Sequence, residues 1–166
     1  MSLEFKIKHG VSHDTYWIRP EGKGCFQGSP YIKRAVEDRL MNTQRQIVVD
    51  LEAVRGMDST FMGMLAGLAV RMGKSGRRLH LAGVGEKNRD SLEDLGLDSL
   101  MDIEPAGAHW RGHQQEIREG LEELELKTGP GLDGHVLESH QTLSGLSTEN
   151  EEKFRTVLDI LEKEAK

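Results

Sequence analysis

The sequence predicts an α/β domain, a mixed β-sheet with helices packed on it, followed by a helical C-terminal extension. Three observations point there. Stretches with two-residue alternation or β-preferring residues are interleaved with stretches whose apolar residues recur every three or four positions. Ile47-Val48-Val49 is short and continuously apolar, as suits a central strand covered on both faces. Beyond Pro105 the composition turns acidic and helix-like.

The elements follow in order. Phe5 and Ile7 alternate with charged neighbours between Glu4 and Lys8, and Thr15-Tyr16-Trp17-Ile18 follows the polar Ser12-His13-Asp14 break; together they predict a hairpin or adjacent pair of strands. Pro20, Gly22, Gly24 and Gly28 mark a loop. Ser29-Pro30 reads as an N-cap with proline at the first helical position, and Tyr31, Ala35, Val36, Arg39 and Leu40 give that helix one buried face. The central strand is Gln46 to Leu51, and Arg55-Gly56-Met57-Asp58 is a short connection to a second helix ended by Gly76. That helix is apolar on two sides, with Met62, Leu65, Ala69 and Met72 on one stripe and Phe61, Met64 and Leu68 on the other, so it is expected to be buried. Gly63 and Gly67 each cost about 1 kcal/mol of helix stability relative to alanine, which implies that something packs closely against them. Arg78 to Val84 is the next strand, Glu86 to Leu95 a short helix stopped by Gly96, and Leu97 to Ile103 closes the unit. This order implies parallel neighbours joined by right-handed crossovers.

The division falls into residues 1–105, the α/β domain, and 106–166, the extension. After a hinge at Pro105, Gly107 and Gly112, Ile117, Leu121 and Leu124 are placed on an acidic helix, and Thr128-Gly129-Pro130-Gly131 is a second break. Val136, His140 and Leu143 share a face of the next helix. Thr148 with Glu151 forms a capping box for the last, whose Phe154, Val157, Leu158 and Leu161 make one stripe. That stripe needs a surface, on the α/β domain or on a second chain as a homodimer through the C-terminal helices. The α/β domain is expected to fold when cut after Pro105.

Charge and composition exclude several classes. Residues 1–110 balance 15 Lys/Arg against 15 Asp/Glu, while residues 111–166 carry 7 against 13, so the net charge of −6 lies wholly in the second part. The basic pairs Lys33-Arg34 and Arg77-Arg78 make no phosphate-neutralising patch, so nucleic acid is not expected as a partner. No apolar run approaches the roughly 20 residues of a membrane span, and no signal-peptide pattern opens the chain, which places it in the cytoplasm. Cys25 is the only cysteine, so no disulfide forms within one chain.

The segment from Val48 to Leu65, with Asp50-Leu51 ending a strand and Asp58-Ser59-Thr60-Phe61 opening a helix, resembles the central signature of the STAS family, the anti-sigma factor antagonists. In that family the second stretch usually reads Asp-Ser-Ser-Gly. The stretches Gly76 to Val84 and Leu92 to Met101 are similar to the family's next strand and its Leu-x-x-x-Gly-Leu helix end, and the resemblance spans about Leu3 to Pro105. It implies a STAS-like sheet and a partner-switching cycle. The antagonist binds an anti-sigma factor that is also a serine kinase, the kinase phosphorylates a serine and releases it, and a phosphatase resets the cycle. By position the phosphorylated residue is Ser59, with Thr60 as the alternate, and the partner-binding set is Asp58, Ser59, Thr60, Phe61 and Met62. Thr60 stands where the family has a second serine, and Phe61 where it has a glycine.

The residues support that chemistry on their own. A serine at a helix N-terminus lies beside unpaired N–H groups and the positive dipole end, where a phosphate of about −1.5 to −2 charges is tolerated. Asp58 and Ser59 alone would read as a plain helix cap. A hydrolase elbow needs glycines flanking the serine, which are absent, so no enzyme activity is expected. His109 with His113, and His135 with His140 around Glu138, lack a recognisable third ligand, so no metal is expected. Gly22, Gly24 and Gly28 lack the nucleotide-loop spacing, and no cofactor is expected. Met57, Met62, Met64 and Met72 read as core filler. Two other readings stay open: a module of the same fold sensing a small ligand or lipid without phosphorylation, and an assembly subunit of a signalling complex.

Overall fold

The computed structural model describes residues 5–42, 45–126 and 132–164, so Met1 to Glu4 and the break expected at Thr128-Gly129-Pro130-Gly131 lie outside the described residues. Strands β1 (Phe5–Ser12) and β2 (Thr15–Gly24) form the expected hairpin, in register from Phe5 opposite Gly22 to Ser12 opposite Thr15. Helix α1 (Ser29–Asn42) leads to β3 (Gln46–Asp50), β4 (Val54–Met57), α2 (Ser59–Gly73), β5 (His80–Ala82), α3 (Glu86–Asp94), a single 3-10 turn at Leu97–Ser99, and β6 (Asp102–Ile103). The sheet runs β6-β5-β3-β2-β1, with β2, β3, β5 and β6 mutually parallel and β4 alongside the far end of β2.

Within residues 1–105, two elements differ from the sequence reading. The loop expected from Pro20 onward is strand as far as Gly24, and the connection at Arg55 to Asp58 is largely β4. The reason is a close approach: a Cβ on Gly24 would sit 2.9 Å from the carbonyl oxygen of Gly56, so only glycine lets the strands pair there.

The two faces of the sheet carry separate cores. On one, Ile7, Tyr16, Ile18, Ile47, Val49 and Leu81 meet α1 and α2, through side chains such as Ile32, Val36, Phe61 and Leu65. On the other, Trp17, Val48 and Ala82 are covered by Trp110 and Ile117. Alternation along β2 and β3 thus feeds both layers, which is why β3 is apolar throughout.

Trp110 and Ile117 belong to the segment after Pro105. Helix α4 (Gln114–Glu119) is only six residues long, and Gly120 ends it; β7 (Glu122–Glu123) then adds an antiparallel edge beside β1 at Lys8 and His9. Leu121 and Leu124 are therefore not on an acidic helix with Ile117. The Leu124 amide instead donates to the Ile7 carbonyl at 2.7 Å.

Helices α5 (Leu132–Ser144) and α6 (Thr148–Glu164) form a hairpin against α2. Leu143 is buried in the main core and Phe154 packs against it. The cap of α6 is Ser147 rather than the expected Thr148–Glu151 box: its Oγ accepts from the Asn150 amide at 3.0 Å, which frees the buried Asn150 side chain to donate to the Leu95 carbonyl. The apolar stripe of α6 is only partly covered: Phe154, Leu158 and Leu161 are half-buried and Val157 is 39% exposed. No helix among the described residues is long and apolar enough to cross a membrane.

Candidate functional site

The start of α2 is built by Asp58. Its Oδ1 accepts from the Phe61 amide at 2.8 Å, capping the helix, and its Oδ2 accepts from the Phe26 amide at 2.9 Å, tying the end of β2 to the same point. Ser59, the first helical residue, is half-buried, with its Oγ 2.8 Å from His140 Nε2 on α5. His140 Nδ1 lies 2.9 Å from the Val136 carbonyl, which can only accept. In the neutral ring the proton therefore sits on Nδ1, and bare Nε2 accepts from the Ser59 hydroxyl. Phe154 packs edge-on against that ring at 5.5 Å.

A second serine–histidine contact stands beside the first. Ser29 Oγ at the start of α1 lies 2.7 Å from His135 Nε2, in a buried setting. Burial, helped by the positive charge of Lys33, pushes the His135 pKa down, while Glu138 and Asp58 pull the other way; the ring is neutral near pH 7. Glu138 points outward to Lys33 at 3.0 Å. The two histidines thus serve two serines and do not converge on one ion.

Of the sequence-derived set, Asp58 and Ser59 remain partly accessible, whereas Thr60, Phe61 and Met62 are buried. Phe61 points into the main core, so its ring does not occupy the surface where the family has glycine. Met64 and Met72 are also core residues, in line with the filler reading. Gly63 is where close packing occurs: a Cβ there would overlap the Ser139 carbonyl oxygen and lie 2.7 Å from its carbonyl carbon. Gly67 has open space instead.

Sequence reasoning missed four groupings. His140 meets Ser59 across 81 residues, and no local pattern announces it. His109 bridges Thr15 Oγ1 and the His13 carbonyl, each at 2.9 Å, rather than approaching His113. His113 stacks on His13, with ring centroids 4.5 Å apart, and with Glu116 these two form the one group among the described residues able to hold a metal ion, their donor atoms all within 4.8 Å of one another.

The fourth grouping is a buried charge knot at Asp50, whose carboxylate is fully inaccessible. Oδ2 accepts from Arg118 Nε at 2.7 Å, Trp17 Nε1 at 3.0 Å and Arg19 Nη1 at 3.0 Å; Oδ1 accepts from the Glu52 amide at 3.1 Å and Arg118 Nη2 at 3.2 Å. Burial alone would raise this carboxyl's pKa, but Arg118, the Glu52 amide and Arg19 outweigh it and hold the group below its ordinary value. The knot fastens α4 to the strand end that precedes the Ser59 segment.

A model of the STAS domain matches residues 3–108, more than half of the chain. The chain belongs to the STAS domain family. Among solved structures, a candidate anti-sigma factor antagonist from Thermotoga maritima is 21% identical, with a TM-score of 0.56, covering 68% of this chain and 94% of that one. The unphosphorylated form of the anti-sigma factor antagonist SpoIIAA is 18% identical, with a TM-score of 0.53, covering 69% of this chain and 96% of that one. SpoIIAA, a Bacillus cell fate determinant, is also known in a phosphorylated form. A sulfate transporter family protein from Wolinella succinogenes shares the STAS fold too, at 18% identity and a TM-score of 0.51, covering 66% of this chain and 92% of that one. Comparison with curated proteins gives no match. These likenesses establish the fold, a STAS sheet with helices packed on it.

Proposed function

We infer that this STAS protein is an anti-sigma factor antagonist in a partner-switching circuit, binding an anti-sigma factor that is also a serine kinase and released when Ser59 is phosphorylated. The observation that carries this is the Ser59 hydroxyl at the N-terminus of α2, directly after a capping Asp58, within a STAS sheet. A phosphate there meets the helix dipole and spares α2 itself, while placing a double charge beside Asp58 on the face a partner would touch. The likeness to SpoIIAA, known in both phosphorylation states, supports a phosphorylation cycle; in this reading a phosphatase resets it. Thr60 is buried, which favours Ser59 as the acceptor.

The test compares pull-downs of wild type, Ser59→Ala and Ser59→Asp. Ser59→Asp is expected to fold and to lose partner binding, and Ser59→Ala to bind and resist release; equal capture of all three removes the switch assignment. The Wolinella likeness favours one second reading, a STAS module serving a different kind of protein with no phosphorylation cycle. That reading is supported if peptide mapping finds no phosphate on Ser59 or Thr60 after incubation with the captured kinase.

A further inference from the structure

The α5–α6 hairpin lies across the hydroxyl that this cycle would modify. It is held by contacts of several kinds: His140 on Ser59 and His135 on Ser29, the Ser139 backbone seated on Gly63, and Lys33 paired with Glu138. Leu143 is buried beneath it, and the far helix is pinned where Asn150 donates to the Leu95 carbonyl and Lys153 to Asp94. Kinase attack needs the transferred phosphorus about 3–3.5 Å from the serine oxygen and in line with it. The His140 ring nitrogen already stands 2.8 Å from that oxygen.

We propose that the α5–α6 hairpin is a cis-acting occupant of the docking face on α2, so that partner binding and Ser59 phosphorylation both require its displacement. The regulatory consequence rests on the Ser59 reading above; the cover itself does not. Closure and phosphorylation exclude each other, because three phosphate oxygens cannot be placed between Oγ and a ring at hydrogen-bond distance. The occupant also describes its competitor. Gly63 accepts a helix backbone with a small residue at the contact, as α5 presents Ser139, so the partner fitting this face is a helix with a small residue at its centre.

The test is independent of any kinase. In the full chain carrying Cys25→Ala and Ser59→Cys, the thiol at position 59 is expected to react with iodoacetamide at least tenfold more slowly than in the same chain with Gly63→Ala or Leu143→Asp added. The first forces Ser139 outward and the second places a charge under α5. Equal rates in all three chains would overturn the cover. With Ser59 restored, Leu143→Asp, which leaves the α2 face itself unaltered, is expected to be phosphorylated at least tenfold faster by the captured kinase. If the thiol is protected and released as described while no kinase modifies Ser59 in the opened chain, the cover stands and the phosphorylation reading falls.

A separate observation concerns the turn between β1 and β2. His13 Nε2 and His113 Nδ1 lie 3.4 and 3.7 Å from the same Glu116 oxygen. Tetrahedral zinc with ligands near 2.0–2.1 Å sets its donors about 3.3 Å apart, so small ring rotations would bring all three onto one ion, with a fourth position open to water. The geometry points to a divalent metal site of the zinc, cobalt or nickel class, clipping the β1–β2 turn to the start of α4. Two imidazoles and one carboxylate suit these borderline ions rather than calcium or magnesium. Cobalt(II) titration of the full chain is expected to give one equivalent with visible absorption, displaced by zinc, and at least tenfold weaker in His113→Gln and in Glu116→Gln. Binding that is unchanged in both variants, or absent from the wild type, would overturn the assignment.

Discussion

Replacing Arg118 by alanine tests how the segment after Pro105 is joined to the sheet. The guanidinium makes two hydrogen bonds to Asp50, at 2.7 and 3.2 Å, and one to Glu52 at 2.7 Å. Removing one partner of a buried ion pair costs about 3–5 kcal/mol, because the other charge is left without compensation. Here Arg19, Trp17 and the Glu52 amide still serve the carboxylate, which lowers the expectation to about 2–4 kcal/mol. For a chain of this size that is a fall in Tm of about 6–12 °C. The pH dependence has a definite sign. Asp50 titrates below its unfolded value in the native state, so its stabilisation is present above the unfolded pKa of about 4 and is lost as pH falls through the native value. Arg118→Ala raises the native value, so acid unfolding should begin at higher pH than in the wild type. Thermal melts at pH 7.5 and a circular-dichroism acid titration read both effects, with Lys153→Ala at the exposed Asp94 pair as a control expected to shift stability by under about 1 kcal/mol. A Tm within about 2 °C of wild type, with superimposable acid profiles, would refute the claim that this knot fastens α4.

Other outcomes follow from the packing. A chain ending at residue 105 loses Trp110 and Ile117 and bares Trp17, Val48 and Ala82, so it is expected to aggregate or unfold, whereas a chain ending at residue 126 should stay soluble; matched sedimentation and melts separate the two, and a folded 1–105 fragment would restore the boundary read from composition. Phe61→Gly, which restores the glycine usual in the family, should cost about 3–5 kcal/mol through the core cavity rather than improve partner capture, as denaturant unfolding would reveal. Burial lowers the pKa values of His135, His80 and His9, so each contributes stability that is present above the unfolded value of about 6.5 and lost as pH falls below it. Tm should therefore drop between pH 7.5 and 5.5, and less steeply in His135→Gln; identical slopes would remove His135 from the account.

Much of the domain was legible because its cores are local in pattern. Alternation in β1 and β2, the apolar run of β3 and the two stripes of α2 each report which faces are covered, and Gly63 announced a close neighbour correctly. Gly67 carried the same signal with nothing against it, since a missing side chain marks room for a neighbour, not its presence. β4 was hidden because a four-residue strand containing Gly56 has too little pattern, and its pairing depends on glycines in a different strand. The spacing of Ile117, Leu121 and Leu124 imitated a helix, but Gly120 ended it and β1 offered an edge to pair with. At the site, Asp58 and Ser59 were readable from cap chemistry and family signature. His140 and His135 were not, because what selects them is the position of α5 over two helix starts, a tertiary fact without local trace.

The two-residue strand β7 has an effect out of proportion to its length. A sheet whose β1 edge stood open would offer a row of free amides and carbonyls to any other extended chain, the geometry by which proteins polymerise strand to strand. Glu122 and Glu123 occupy that edge only opposite Lys8 and His9, yet both are exposed carboxylates, and a second molecule arriving to extend the ladder would bring its own acidic pair against them. At the opposite rim β6 is equally short. Repulsion at one margin and brevity at the other should keep this parallel-rich sheet from growing into fibrils at high concentration.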